Sequence, residues 1–507
     1  MFNYTPQNQL DIFDFKTEFE SKLDPNNRWV KMAKLLDWDR FAVIYAQNFS
    51  STMGAKGIDA RIVIGALIIK HIEAKDDRGT IEAIKENPYM QYFLGFDHFS
   101  SDPVFDPSLF VHIRKRLGND DFDKMNQIII SKALKINGVD SESDSEKDGN
   151  DAKTSQETPT QESESNGQES KKTKNKGKLQ MDATIADAHI KFPTDLSLLN
   201  DSREKSEEII DKLCKALGLQ KPRTYRREAR KNWLNLSKSK KKSYKQIQKG
   251  IKQQLNYLKR NNKHIDKILD ENPLALGLLD KKEYRYLLII KELYKQQLEM
   301  FDEKKHSVAN RIVSIHQPHI RPMVRGKQGK NVEFGAKINV SLQQGFARID
   351  QLDYEAFNEG IYLKEQVENY KKLNGHYPEL VQTDEIYMNR ENRKFLKEKN
   401  IRHTGKPLGR KPKEDLTPYQ KKKLKKERGE RNHVEGKFGQ GKSKYKLNKI
   451  MARLAQTSKS WIGAIFFIMN ILKLTKDYFC AFLNWLFYWI FFQNNHSKRY
   501  EMKIITL

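Results

Sequence analysis

Cysteine is scarce in this sequence: its 507 residues include two, Cys214 and Cys480, which lie far apart along the chain. This spacing excludes a disulfide framework and a paired-cysteine zinc site within the chain. The first residues also lack the basic-then-apolar pattern of a secretory signal. We therefore expect a protein of a reducing compartment, the cytoplasm.

Long apolar runs are scarce as well. An apolar tract begins at Trp461, and polar residues interrupt it before residue 478. The remaining piece, 478–492, contains Asn484 and is shorter than the roughly 18 to 20 residues of a membrane span. We expect a buried or oligomer-facing helix within an apolar C-terminal tail, 476–507, and no membrane partner. A membrane contact is the alternative.

Positive charge predominates. Lys and Arg number 93 against 66 Asp and Glu, which gives a formal net charge of +27. Such an excess attracts polyanions. Nucleic acid is therefore the partner that the composition favours.

A polar segment divides the chain. Residues 140–178 contain no large apolar or aromatic side chain. A segment of this kind cannot bury enough apolar surface to become ordered. We predict a disordered linker, 138–178, between a helical N-terminal domain, 1–137, and a larger domain, 179–475.

Helical periodicity dominates residues 1–137. Apolar residues recur at helical spacing across 58–72, and Asp59 is a good N-cap for that helix. A later short helix, 107–117, ends in the basic residues 114–116. Short helices with basic ends and tight turns suit a helix-turn-helix-like DNA-binding unit. The alternative is a plain helical bundle that carries protein contacts.

Residues 201–306 form a basic helical insertion in the larger domain. Apolar residues at helical spacing predict two amphipathic helices, around 244–265 and 287–301, and the pattern breaks at 272–277. We predict an antiparallel helical hairpin. Its basic face could lie on a DNA backbone, with a solvated lysine face as the alternative.

Strand patterns surround this insertion. Apolar and polar residues alternate from Leu179 to Ile185, which predicts a strand. Asp182 lies inside that strand, where aspartate is disfavoured, and this indicates a functional role. An edge-strand aspartate facing water is the alternative. Further strands are predicted at 320–324, 332–342, 346–352 and 379–387, and the last of these contains Asp384.

A third charged motif lies at 431–442. Arg431 precedes Glu435 by four residues, and Lys442 follows Glu435 by seven, so a helix would place all three on one face. A carboxylate between two cations suits a phosphate and a divalent metal as ligands. The alternative is an exposed basic helix whose ion pair contributes less than about 1 kcal/mol.

Three acids now stand in order: Asp182 and Asp384 on strands, then Glu435 on a helix. Carboxylates placed in this way can converge and hold two Mg²⁺ ions for in-line phosphoryl displacement. Magnesium prefers carboxylate oxygen and needs no Cys or His. Two neighbouring acids remain alternatives, Asp187 for the first position and Glu385 for the second.

The chain resembles the bacterial insertion-sequence transposases of the DDE type, which have a ribonuclease-H-like catalytic domain. The resemblance rests on 181–184 with 193–200, on 383–387 with Asn389 and Asn392, and above all on 431–442. The N-terminal helical segment also resembles the one that precedes the catalytic domain in that family. The resemblance covers most of the chain outside the linker and the tail.

This resemblance implies an α/β fold, with a ribonuclease-H-like mixed sheet flanked by helices, an N-terminal all-helical DNA-binding domain and a helical insertion. It implies that Asp182, Asp384 and Glu435 are the catalytic triad and bind two Mg²⁺ or Mn²⁺ ions. It implies that Arg431 and Lys442 contact DNA phosphate. Some relatives carry Tyr three residues before the Arg, but this chain has Arg428 there, so no tyrosine role is assigned.

Family members cut DNA at terminal inverted repeats and join the freed 3′ hydroxyl to target DNA, acting as multimers on paired ends. The resemblance therefore implies double-stranded DNA of both kinds and further copies of the chain as partners, on the nucleoid. Two alternative functions remain. One is a non-catalytic DNA-binding protein derived from a transposase, and the other is a metal-dependent DNA nuclease without strand transfer.

Overall fold

The computed structural model describes residues 2–4, 14–16, 22–49, 57–140, 174–324, 332–409 and 417–504, and the side chains of these except 137–140 and 481–504. Most of the predicted linker, 141–173, lies outside the described residues. The last residues of the predicted linker, 174–178, are described. The Asn175 side chain is hydrogen-bonded there, since it donates to the carbonyls of Lys399 and Asn400 at 2.9 and 3.1 Å.

Seven helices precede the linker within the described residues: α1 (Arg28–Leu35), α2 (Trp38–Ala46), α3 (Ala60–Ile72), α4 (Asp77–Glu86), α5 (Pro88–Leu94), α6 (Leu109–Arg116) and α7 (Asn119–Asp140). The predicted cap of α3 is confirmed, because the Asp59 carboxylate accepts a hydrogen bond from the N–H of Arg61 at 2.7 Å. Side-chain caps also begin α1, α2, α4 and α5. Local capping chemistry thus sets most of these helix starts.

The predicted strands that begin at 179, 320, 332 and 346 are confirmed with small changes of bounds, but the strand predicted over 379–387 is wrong in extent, because it has three residues and ends before Asp384. The strands form a mixed sheet: β1 (Lys178–Asp187), β2 (Pro322–Val324), β3 (Val332–Gln343), β4 (Phe346–Asp353), β5 (Leu380–Gln382) and β6 (Arg402–His403). β3 pairs antiparallel with β1, and also with β2 and β4 at its two ends. β1 pairs parallel with β5, which pairs parallel with β6. The protein is therefore α/β, with β1 between β3 and β5.

Nine helices follow β1 in the described chain: α8 (Asp195–Leu217), α9 (Arg226–Lys238), α10 (Tyr244–Glu271), α11 (Lys281–Asp302), α12 (Leu363–Asn374), α13 (Arg390–Glu398), α14 (Pro418–Glu430), α15 (Asn432–Lys444) and α16 (Ala455–Ile504). The helical spacing of Ile450, Leu454 and Ile462 predicts a helix from about residue 448, but α16 begins at Ala455. The segment before it runs beside the end of β1, where Ile450 exchanges backbone hydrogen bonds with Asp187 and His189 at 2.8 and 3.0 Å.

The helical insertion is larger than the predicted hairpin. Buried side chains of α8, α10 and α11, such as Leu213, Leu258 and Ile290, form one hydrophobic cluster. The first predicted apolar residue of α10, Tyr244, is instead 60% exposed. The hairpin therefore packs its apolar face on α8, because two amphipathic helices alone leave part of that face uncovered.

The N-terminal helices share a hydrophobic core with the sheet and α16. Phe467 of α16 contacts the rings of Phe41 and Phe122, with centroids 5.4 and 5.9 Å apart. Asn470, also on α16 and buried, accepts from the N–H of Ala347 in β4 at 3.0 Å and donates to its carbonyl at 2.7 Å. The segments on either side of the linker are therefore packed together.

No helix within the described residues is long and apolar enough to cross a membrane. Tyr478 and Phe479, at the start of the predicted tail helix, are 51% and 42% exposed. The side chains of 481–504 are not described. The buried or oligomer-facing role of 478–492 stays a prediction.

One of the three basic residues that end α6, Arg114, does not have the position expected of a DNA contact, whereas Lys115 and Arg116 are exposed. Arg114 is buried and donates two hydrogen bonds to Asp77 at 2.9 and 2.8 Å. Lys70, also buried, pairs with the same carboxylate at 2.9 Å. The Arg114 guanidinium also lies 5.3 Å from the centre of the Trp461 ring. Arg114 thus joins α6 to α4 and α16, and it is not available to DNA.

Asp77 is expected to control the acid stability of these helices. Burial raises its pKa, but the hydrogen bond from Arg114 and the charge of Lys70 outweigh this effect and hold that pKa below its usual value. The stabilisation is therefore complete above the unfolded pKa of about 4 and is lost as the pH falls below it. Asp77→Asn should lower the unfolding free energy at pH 7 by about 3 kcal/mol or more, because Lys70 stays buried without a counter-ion.

Urea unfolding followed by circular dichroism from pH 3 to 7 measures this effect. Glu82→Gln removes an exposed acid from the same helix and is the matched control. The stabilising role of Asp77 is contradicted if Asp77→Asn and Glu82→Gln have the same urea unfolding midpoint at pH 7.

Candidate active site

The parallel pairing of β1 and β5 places Asp182 beside Asp384. The strands are aligned with Gln180 opposite Gln382, and each aspartate follows its glutamine by two residues. Asp384 comes two residues after the end of β5, near enough to Asp182 for its charge to act on that carboxylate. An oxygen of Asp384 accepts from the N–H of Glu385 at 3.0 Å, which begins a short 3-10 helix just after β5.

Asp182 is not on an edge strand. β1 pairs with β3 along most of its length, with Asp182 opposite Val340, and with β5 on its other side. The Asp182 side chain is 17% exposed, and it accepts from the N–H of Ala183 at 2.8 Å. The interpretation of Asp182 as a solvated edge residue is therefore wrong.

Glu435 reaches this position from α15, and Arg431 joins it to Asp182. Arg431 lies at the junction of α14 and α15, where its two terminal nitrogens lie 3.3 Å from the Asp182 carboxylate and 3.2 Å from the Glu435 carboxylate. The shared face predicted for Arg431 and Glu435 is thus confirmed. α15 buries Val434 and Phe438, whereas Glu435 is exposed.

The charges of the other two acids act on Asp182. Burial raises the pKa of Asp182; the Ala183 N–H and the Arg431 charge lower it, and the charges of Asp384 and Glu435 raise it further, so that the net shift is upward. Among the described residues, no three His, Cys, Asp or Glu side chains are arranged closely enough to hold a metal ion. Between Asp182 and Glu435, the Arg431 guanidinium supplies the positive charge instead.

Sequence reasoning missed two glutamines that position the site. Gln180 donates to the Gln382 side chain at 2.8 Å and to the carbonyl of Glu430 at 2.8 Å. Gln382 donates to the carbonyl of Glu427 at 2.5 Å. These bonds fasten the C-terminal turn of α14, which ends next to Arg431, to the two central strands. A signal was present, because a Gln stands two residues before each aspartate.

Lys442 does not lie with these acids. Its ammonium group is 3.7 Å from Glu333 at the start of β3. Two helical turns separate it from Glu435, about 10 Å along α15, and this carries it towards the end of the sheet where β2 pairs. Although Glu435 and Lys442 were predicted to share a helix face, they lie too far apart to contact the same metal ion or phosphate oxygen.

The two alternative acids point elsewhere. Asp187 is five residues after Asp182 in the same strand, so the alternation of side chains places it on the opposite face of the sheet. Glu385 accepts from the N–H of Lys406 at 3.1 Å and lies 3.8 Å from Arg393. Neither shares the contacts that join Asp182 to Glu435.

Two family models match the chain. One, described as a transposase DDE domain, matches residues 381–472, and the other, a transposase domain (DUF772), matches residues 17–116. The first includes Asp384, Arg431 and Glu435 but not Asp182. Together they confirm the resemblance to insertion-sequence transposases.

A curated relative is uncharacterized protein ORF8 in the nfe locus of Rhizobium meliloti, which is 27% identical over 120 residues. That match covers 24% of this chain and 58% of the relative, so the chain matches little more than half of the relative's length. No solved structure matches.

Proposed function

We propose that this chain, a relative of the DDE insertion-sequence transposases, cuts DNA at the ends of its own element and joins the freed 3′ hydroxyl to target DNA. The observation that carries the proposal is that Arg431 forms ion pairs with both Asp182 and Glu435. Asp384 follows β5, the strand that pairs with the Asp182 strand. Arg431 joins two acids from distant parts of the sequence there, and the charge of the third, Asp384, acts on Asp182. We propose that these three are the catalytic residues.

The mixed sheet supports a ribonuclease-H-like catalytic domain. Its central strand β1 carries Asp182, the parallel strand β5 ends just before Asp384, and α15 brings Glu435 from beyond the sheet. A double-stranded substrate is consistent with the net charge of +27. We propose terminal inverted repeats and target DNA as its partners on the nucleoid, with further copies of the chain holding paired ends.

The donor set fits divalent metal ions. All three side chains are carboxylates. Burial, and then the charges of Asp384 and Glu435, raise the pKa of Asp182, and a bound cation would offset these effects. We propose that Asp182, Asp384 and Glu435 hold two Mg²⁺ or Mn²⁺ ions. Such ions, when bound, activate the attacking oxygen and stabilise the leaving oxygen of phosphoryl transfer.

Arg431 has a second proposed role as a phosphate ligand. A guanidinium presents paired donors that suit phosphate oxygens as well as carboxylates. Arg431 can therefore exchange Asp182 and Glu435 for a DNA phosphate when the strand enters the site. We propose that Lys442, which pairs with Glu333, contacts a phosphate farther from the cut bond.

Cleavage of DNA that carries the element's own ends tests this function. With Mg²⁺, the full chain should cut end-bearing duplexes, leave a matched duplex with scrambled ends intact, and join the cut strand to a target plasmid. Cutting without joining would instead favour a nuclease. Binding without cutting would favour a DNA-binding protein derived from a transposase.

A further inference from the structure

A cationic groove lies between α13, β6 and α14. It has a volume of about 830 Å³ and is lined by four Lys and Arg residues and one acidic residue, which are Arg393, Lys397, Arg402, Lys423 and Glu427. α13 follows Asp384 after a short turn, and α14 ends next to Arg431. One end of the groove is therefore close to the candidate active site.

The acid in this groove is already neutralised. Glu427 forms an ion pair with Arg402, and Arg393 lies 3.8 Å from Glu385. Within the part of the chain that the structure describes, the ammonium groups of Lys397 and Lys423 have no ion pair, and both residues are exposed. The groove thus offers positive charge that no described carboxylate satisfies.

Helix α14, which forms one side of the groove, is unusual for a helix of a folded domain, because it buries none of its residues. Lysines occupy positions 421, 422, 423, 425 and 426. Four of these lysines form two pairs at i, i+4 spacing, Lys421 with Lys425 and Lys422 with Lys426. Like charges at this spacing destabilise a helix. Its ends hold it instead: a capping box at Thr417 and Gln420, and the bonds from Gln180 and Gln382 at the other end.

A polar atom in the groove also lacks a partner. The Nδ1 atom of His403 is buried and has no hydrogen-bond partner among the residues that the structure describes, and His403 lines the groove. It belongs to β6, which has two residues and ends the path of paired strands in the described sheet. An oxygen-rich anion lying along the groove could accept a hydrogen bond from this nitrogen in the matching tautomer.

We propose that the α13–α14 groove binds the phosphate backbone of duplex DNA next to the bond that is cut. This inference rests on the proposed function for the identity of the DNA, while the binding itself rests on the groove. Thirteen residues of α14 extend about 20 Å, which spans several successive phosphates of a duplex. The charge pattern favours backbone contacts without base recognition.

Anisotropy of a labelled 30-base-pair duplex, with the full chain and EDTA to prevent cleavage, tests the groove. The variant Lys397→Gln/Lys423→Gln removes its two unpaired cations. The control Lys372→Gln/Lys476→Gln removes the same charge from exposed positions on α12 and α16. The groove variant should bind about tenfold more weakly at 0.1 M salt, and its log–log salt slope should fall by about 1.8, because two phosphate contacts are lost. The control should stay within about twofold of wild type.

Equal affinities and salt slopes for the groove variant and the control would overturn the proposal. All four replaced side chains are exposed, and matching circular dichroism spectra verify that the variants fold. The Mg²⁺ cleavage assay separates this inference from the proposed function. Loss of binding in the groove variant with a wild type that never cuts supports the groove and rejects the transposase activity. If wild type cuts DNA and the groove variant binds it as the control does, the proposed role of the groove is rejected and the transposase activity is not.

Discussion

Asp182→Asn, Asp384→Asn and Glu435→Gln should each reduce Mg²⁺-dependent DNA cleavage by about 1000-fold or more while duplex binding stays within about twofold. Each change removes one negative charge and keeps the shape of the side chain. A loss of about 4 kcal/mol of transition-state stabilisation corresponds to this factor. Asn at position 384 can still accept from the N–H of Glu385, so the turn after β5 is kept. Single-turnover cleavage of an end-bearing duplex, with anisotropy for binding, measures both quantities.

Asp187→Asn and Glu385→Gln are matched controls for this series. Asp187 lies on the opposite face of the sheet, and Glu385 contacts Arg393 and the N–H of Lys406. Both variants should cut within about fivefold of wild type. Normal cutting by any of the three active-site variants would show that the wrong acid has been chosen.

Arg431→Gln should bind Mn²⁺ about tenfold more tightly than wild type when no DNA is present. Arg431 holds a positive charge 3.3 Å from Asp182 and 3.2 Å from Glu435. A hydrogen bond to a charged group contributes about 1.5 to 3 kcal/mol, and a tenfold change in affinity corresponds to about 1.4 kcal/mol. Without the guanidinium, the carboxylates repel one another, and a divalent cation relieves that repulsion. Titration calorimetry with Mn²⁺ alone measures the affinity.

The same variant should cut DNA about 10- to 100-fold more slowly, because the phosphate has lost a paired donor. Tighter metal binding with slower cleavage separates the two roles of Arg431. Lys442→Gln is the control, since Lys442 pairs with Glu333 and should leave the Mn²⁺ affinity unchanged. Weaker Mn²⁺ binding by Arg431→Gln would contradict the exchange of Arg431 between carboxylates and phosphate.

The sequence by itself determined the elements that carry the acids. Two-residue alternation predicted β1 and β3, and a side-chain cap predicted the start of α3, where Asp59 accepts from a backbone N–H group as expected. These signals are local, because a pleat or a cap involves residues within a few positions of each other. The order of Asp182, Asp384 and Glu435 was visible for the same reason.

Only the tertiary structure decided which charges meet. The β1–β5 pairing set Gln180 opposite Gln382, two residues before Asp182 and Asp384, and the bonds from these glutamines to the end of α14 placed Arg431 between Asp182 and Glu435. Lys442 looked equivalent to Arg431 along the helix, but it meets Glu333 instead. Arg114 looked like a DNA contact, but it is buried against Asp77. A charged side chain takes the partner that packing brings within reach, and packing depends on segments hundreds of residues apart, which periodicity along one segment does not encode.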